Sequence, residues 1–281
     1  LVSLEDIMDK LLILIDGNSL MNRAYYALPE LMNKKGQHTN AIYGFANILF
    51  KIMDTYKPSH ISVAFDLKAP TFRHKQYDAY KGNRKKMPDE LREQVEPLKK
   101  MIDAFGINRI ELEGYEADDL IGTVAKNFEQ DGFEVYIITG DKDALQLVSD
   151  KIKVLFTKKG ISELDEYDPD KMTEKYELTP QQFIDLKGLM GDQSDNIPGV
   201  AGIGEKTGIK LLKEYGSIEN IYMNIDEISK SVKAKLEAGY DMAFLSKSLA
   251  TIMVDIPLEL KVDEFEKKDI DKNTLISLFS E

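Results

Sequence analysis

The sequence contains no cysteine, which excludes disulfides and thiolate zinc sites. Three scattered histidines, His38, His60 and His74, argue against a nitrogen-ligand metal centre. Any metal would be held by oxygen, which favours Mg2+, Mn2+ or Ca2+. Long apolar runs are also missing. The run LLILI, Leu11–Ile15, is far too short for a membrane span or a signal-peptide core, and a soluble, cytoplasmic protein is expected. There is no internal repeat and no low-complexity tract. Positive charge is in deficit, with 37 Lys and Arg against 49 Asp and Glu for a net charge of -12. That sum argues against a nucleic-acid partner, but the distribution of charge matters more. From Arg73 to Lys86, six cations (Arg73, Lys75, Lys81, Arg84, Lys85 and Lys86) are opposed only by Asp78, with Tyr77 and Tyr80 interleaved. Such a run suits single-stranded nucleic acid through backbone attraction and base stacking, and it also suits a solvated loop.

The 281 residues are enough for one large domain or two smaller ones. In the first half, short apolar runs alternate with helical patterns. Strands are predicted at Leu11–Ile15, Ile61–Phe65, Asn108–Leu112, Glu134–Thr139 and Lys153–Phe156. Helices are predicted at Ala41–Tyr56, Asp89–Phe105, Ala117–Gln130 and Asp143–Val148. The alternation implies an α/β domain with a parallel sheet covered on both faces. From about Asp168 onward the pattern is helical only, with glycine turns, so the expected division is an α/β domain over 1–170 and a helical region over 171–281.

The stretch GDQSDNIPGVAGIGEKTG, Gly191–Gly208, resembles a phosphate-binding P-loop, but its spacing is wrong: Glu205 follows Gly204 where lysine is required. Apolar positions at helical spacing precede and follow it. Thr179 and Pro180 suit a helix start, and Gly216 suits a helix end. The stretch therefore reads as helix, glycine hairpin, helix. It is open to two interpretations: a backbone that approaches phosphate closely at the second helix's N-terminus, or an ordinary interhelical turn.

Acidic residues fall where a parallel sheet binds ligands, beyond the carboxyl ends of its strands. LLILID ends in Asp16, ISVAFD in Asp66, and VYIITGDKD in Asp141 and Asp143. The loop after the third strand carries Glu116, Asp118 and Asp119 at a helix start, more acids than capping needs. With Asp192 and Asp195 from the hairpin stretch, nine carboxylates are candidates for a shared site. Two divalent ions about 3.5–4 Å apart are the arrangement that cleaves phosphodiesters.

Six motifs in order, IDGNSLMNRAYYALP, VAFDLKAPTFRH, YKGNR, GYEADDLIGTVA, ITGDKDALQLV and GDQSDNIPGVAGIGEKT, closely resemble the 5′-nuclease (5′→3′ exonuclease) domains of bacterial DNA polymerases I, within the flap endonuclease family. The resemblance covers nearly the whole chain. It implies a PIN-like domain with a helical arch around 67–90, followed by a helix–hairpin–helix (helix-3-turn-helix) region. It also implies removal of 5′ flaps and RNA primers, in Okazaki-fragment processing and DNA repair, with Mg2+ or Mn2+. By the same resemblance Asp16, Asp66, Glu116 and Asp118 look like ligands of a first metal. Asp141, Asp143 and Asp195 look like those of a second, with Asp118 near both. Asp119 and Asp192 match acids of bacterial members that are not found throughout the family. Lys81 and Arg84 resemble the basic pair that contacts the scissile phosphate, and Tyr80 the aromatic that stacks on a terminal base. Gly202, Gly204 and Lys206 resemble the hairpin that holds duplex DNA, where K+ can bind main-chain carbonyls. The implied partners are 5′-flapped or nicked DNA and RNA–DNA junctions. The implied state is a nucleoid-associated monomer. Gly208 stands where the family commonly has alanine, which puts local helix stability in question. The final LISLFSE lies within an amphipathic pattern, so a fragment fused to a polymerase domain is expected. A PIN-type ribonuclease would not need the hairpin, and a non-enzymatic DNA-binding module would lack some of the acids.

Overall fold

The computed structural model describes residues 10–157 and 163–280. Six strands form one sheet in the order β3-β2-β1-β4-β5-β6. They are β1 (Leu11–Asp16), β2 (His60–Ala64), β3 (Asn108–Ile110), β4 (Glu134–Thr139), β5 (Ile152–Thr157) and β6 (Leu164–Tyr167). The first five are parallel, and β6 runs antiparallel to β5. The continuous apolar run of β1 reflects burial on both faces. Its period of two sends Leu12 and Leu14 into a core with Ile121, Val124 and Phe128 of the helix Ala117–Gln130. Ile13 and Ile15 enter the opposite core with Phe45 and Leu49 of the helix Asn40–Tyr56 and Ile102 of the helix Val95–Ala104. The strand order reverses between β1 and β4, so a ligand crevice is expected beyond their carboxyl ends, where Asp16 and Asp141 lie.

The predicted strands match closely, but β6 was not expected, because LDEY at the sheet edge is too polar to read as a strand. The helix Gly17–Ala27 was also missed. It opens on glycine and asparagine, and its start is fixed by the Asp16 side chain, which accepts from the Ser19 N–H. The helix predicted over Asp89–Phe105 is two helices, Asp89–Arg92 and Val95–Ala104. Pro97 has no N–H to close the preceding turn, and Gln94 turns inward to accept from the Ala41 N–H at 2.8 Å. The predicted helix Asp143–Val148 is a 3-10 helix, Lys142–Leu147. Residues 67–90 hold two short helices, Phe72–Gln76 and the start of Asp89–Arg92, with turns between them.

Beyond β6 the chain is helical. The helices Pro180–Met190 and Glu205–Tyr215 flank the glycine stretch, with the Thr179 cap and the Gly216 stop in the expected places. Gly208 is a packing position, because a Cβ there would stand 2.7 Å from Leu186 Cδ1 of the facing helix. The helix Tyr240–Ala250 packs on Pro180–Met190 so closely that a Cβ on Gly188 would lie 3.1 Å from the Ala243 carbonyl. The chain then returns to the sheet side, where Glu266 bridges His60 and Leu275 joins the second core. Among the described residues no helix is long and apolar enough to cross a membrane.

Candidate active site

A cleft of about 580 Å³ opens at the crossing between β1 and β4, and Asp16, Asp66, Glu116, Asp118 and Asp141 line it. The five acids arrive on four element ends, Glu116 and Asp118 together at the start of the helix Ala117–Gln130. Asp16 ends β1, accepts from the Ser19 N–H at 2.9 Å and from Thr139 Oγ1 at 2.9 Å, and is buried. Burial pushes its carboxyl up to about 7; the Ser19 N–H pulls against that, while Asp66 and Asp141 add to it. Asp66 follows β2 and is held by Asn18 Nδ2 and the Ala117 N–H, each at 2.8 Å. Burial also pushes Asp118 well above the carboxylate range, and Asp16, Asp141 and Asp66 reinforce the shift. Asp141 accepts from the Asp143 N–H at 2.9 Å.

Lys81 and Arg84 line the same cleft, whereas Asp143, Asp192 and Asp195 are not in its lining and pair with cations. Lys81 Nζ lies 2.9 Å from Glu116 Oε2 and 3.8 Å from Asp195 Oδ2, and Arg84 pairs with Asp195 Oδ1. Burial alone would lower the Lys81 pKa, but Glu116 and Asp195 outweigh it and raise it. Lys187 joins Asp143 at 2.7 Å and also pairs with Asp192, which Ser194 caps. Burial pushes Asp143 up to about 7, with Asp141 adding and Lys187 opposing. Among the described residues no group of three or more histidine or carboxylate side chains stands in metal-holding geometry.

Two of the expected site residues are engaged within the protein in this structure. Asp119 was expected as a metal ligand, but it is fully buried and both oxygens are taken by Arg73 Nη1 and Nη2, at 2.6 and 2.7 Å, and by the N–H groups of Glu116 and Met253. Tyr80 was expected to resemble an aromatic that stacks on a terminal base. It is 3% exposed, edge-on to His74, and its hydroxyl donates towards Glu116 and Asp195 at 3.1 and 3.3 Å. Sequence reading missed Asn18, Thr139 and Lys187, and placed Arg73 only in a basic run rather than beside Asp119. The polar run GNS after a buried strand was a signal for Asn18; Lys187 lay unnoticed on an otherwise apolar helix.

The hairpin is built from close backbone crossings. Asp192 and Ile197 exchange main-chain hydrogen bonds at 2.9 and 2.8 Å, and a Cβ on Gly199 would fall 2.3 Å from the Gly191 nitrogen. Gly202 adopts φ 79°, and its carbonyl accepts from Lys235 Nζ at 3.1 Å. Gly204 opens the helix Glu205–Tyr215 with free space where a Cβ would be, and Lys206 is exposed beside it.

Strand-end acids thus open into one cleft, beside basic side chains and followed by a hairpin between helices, on a fold that matches a resolvase-like domain. Residues 11–177 match the 5'-3' exonuclease N-terminal resolvase-like domain, and residues 178–273 match the 5'-3' exonuclease C-terminal SAM fold. The chain belongs to the 5'-3' exonuclease family. It is 54% identical over 273 residues to DNA polymerase I of Bacillus subtilis (strain 168), covering 97% of this chain and 31% of the relative. It is 50% identical over 275 residues to DNA polymerase I of Bacillus caldotenax, covering 98% and 31%. The chain thus spans about a third of the length of these relatives. Among solved structures, a bacteriophage T5 flap endonuclease in a pseudo-enzyme–product complex with DNA and metal ions superposes with a TM-score of 0.71 at 25% identity, covering 96% of this chain and 98% of that one. The catalytic core of Rad2 shares the fold, with a TM-score of 0.61 at 17% identity over 99% and 90%.

Proposed function

We propose that this chain is a structure-specific 5′ nuclease, cutting DNA or RNA-primer phosphodiesters at 5′ flaps and nicks with two divalent ions, Mg2+ or Mn2+, in Okazaki-fragment processing and DNA repair. The proposal extends to a nuclease portion, 1–170 catalytic and 171–281 DNA-gripping, of a longer cytoplasmic, nucleoid-associated, polymerase-I-like protein that acts as a monomer. The observation that carries the reading is the cleft itself, where acids from separate strand and helix ends meet without a cation for Asp16 or Asp118 within ion-pair distance among the described residues. Their excess negative charge and all-oxygen donor set fit hard dications. Asp16, Asp66, Glu116 and Asp118 would hold one ion, and Asp141, Asp143 and Asp195 the other, with Asp192 adjacent through Lys187. Divalent ions bound there would supply an activated water and neutralise charge on the attacking and leaving oxygens.

Lys81 and Arg84 hold Glu116 and Asp195 and, released from them, would face a scissile phosphate at the mouth of the cleft. Tyr80 would reach a base only after leaving its buried pocket. The open backbone at Gly204 and the free N–H groups of the helix Glu205–Tyr215 would grip duplex phosphates without reading sequence. A K+ at the hairpin would compete with Lys235 for the Gly202 carbonyl. The test is cleavage of a 5′-flap duplex in EDTA, with Mg2+ restored, and by Asp141→Asn. Cleavage near the single-strand–double-strand junction only with metal, and severe loss in Asp141→Asn, are expected. Robust cleavage in EDTA, or equal cleavage of single-stranded RNA, would overturn the reading.

A further inference from the structure

Arg73 and Asp119 form a buried pair at the meeting of three functional segments. Arg73 is 2% exposed and Asp119 fully buried. The arginine fork is satisfied: Nη1 and Nη2 donate to the two Asp119 oxygens, Nη2 also donates to the Thr251 carbonyl at 2.7 Å, and Nε donates to the Leu249 carbonyl at 2.8 Å. Asp119 accepts two further hydrogen bonds, from the Met253 N–H at 2.9 Å and the Glu116 N–H at 3.1 Å. Four donors fill the roughly four acceptor positions of a carboxylate, so no lone pair is left for a metal.

The partners are informative. Arg73 lies in the helix Phe72–Gln76, which leads directly into Tyr80, Lys81 and Arg84. Asp119 sits in the first turn of the helix Ala117–Gln130, between Glu116 and the core, and forms a capping box with Glu116. Leu249 lies in the last turn of the helix Tyr240–Ala250, which packs on the hairpin's first helix, and Thr251 and Met253 follow its end. Gln146 completes the joint from the Asp141–Asp143 side, donating to the Ala250 carbonyl at 3.0 Å and accepting from the Ile252 N–H at 2.9 Å. Every residue from Leu249 to Met253 thus offers a main-chain group to Arg73, Asp119 or Gln146. Arg73 Nη1 also reaches to 3.6 Å from Glu116 Oε2, the oxygen that Lys81 holds.

We propose that Arg73 and Asp119 are positioning residues for cleavage: the pair sets the Tyr80–Arg84 segment against Glu116 and Asp118, and ties both to the hairpin helices, without either residue touching metal or substrate. A bidentate buried fork fixes angle as well as distance, which lysine cannot reproduce. The inference rests on the proposed metal-dependent reading of the cleft.

The test uses the full chain. In the wild type, the Arg73 side-chain N–H signals are followed by NMR during a Mg2+ titration, with the backbone signals of Asp16 and Asp118 as reporters of metal entry. Slowly exchanging Arg73 signals that stay put while Asp16 and Asp118 shift are expected. Loss of Arg73 protection as metal enters would show that Asp119 leaves the pair to become a ligand, and would overturn the proposal. No shift at Asp16 and Asp118 would instead count against the metal reading itself. In parallel, Arg73→Lys is expected to lower the single-turnover rate on a 5′ flap by roughly tenfold to a hundredfold, the range for outer-shell partners, with the Mg2+ midpoint unchanged. A normal rate, or a loss that extra Mg2+ restores, would overturn the positioning role. Should Arg73→Lys not fold, the wild-type titration decides alone.

Discussion

Asp16 has two tasks that pull in opposite directions: it caps a helix as an anion, yet it is buried beside other acids. Its carboxyl keeps a proton to about 7 in the folded chain but only to its ordinary 3.8 when unfolded, burial being the main cause. The folded state therefore binds more protons through that window, and stability falls as pH rises from about 4 to 7. In EDTA, Asp16→Asn is expected to raise Tm above about pH 7 and to lose that advantage as pH approaches 4. Thermal scans across that range check it, and an advantage independent of pH would refute it. At this scale the strand-end acids were legible in the sequence, because a carboxylate after a buried run has few places to go. The state of each acid was not. Whether it faces the cleft, as Asp118 does, or a guanidinium, as Asp119 does one residue later, depends on helical rotation and on partners far along the chain.

At the scale of elements, the hairpin separates structure from grip. Gly199, at φ 62° with the Gly191 backbone 2.3 Å from its missing Cβ, is there for the crossing. Gly204 has open space instead. Gly199→Ala is expected to destabilise the fold by about 1–3 kcal/mol, an overpacking cost. Gly204→Ala should leave Tm alone and weaken duplex binding, and Lys206→Ala should reduce the salt slope of binding by about one counterion. Urea unfolding and binding isotherms at several salt concentrations measure all three. Normal binding by both Gly204→Ala and Lys206→Ala would make the stretch only a turn. The helices on either side were readable from their caps and periodicity. The segment 67–90 was not: its basic, aromatic composition describes what it can touch, while its folded-in position is set by Glu116, Asp195 and Arg73.

Across the whole molecule, the two sequence halves share one core. Leu145 and Leu147 beside the sheet belong to the same buried cluster as Phe183, Leu186, Leu189 and Leu212 of the hairpin helices, and Phe265 returns to pack on Phe128. The chain is therefore expected to unfold in a single transition, with near- and far-UV circular dichroism coinciding; two separated transitions would show independent halves. The sequence by itself determined the parallel sheet, the acids at its strand ends, the absence of thiolate donors for any metal and the helix–hairpin–helix, because each follows from local periodicity, spacing or composition. Only the tertiary structure decided which acids share the cleft and which are bound to cations. Asp119 meets an arginine 46 positions away and Asp195 one 111 positions away. Periodicity reports how a side chain faces its own element, whereas such pairings come from strand order and from helices packing across the sheet.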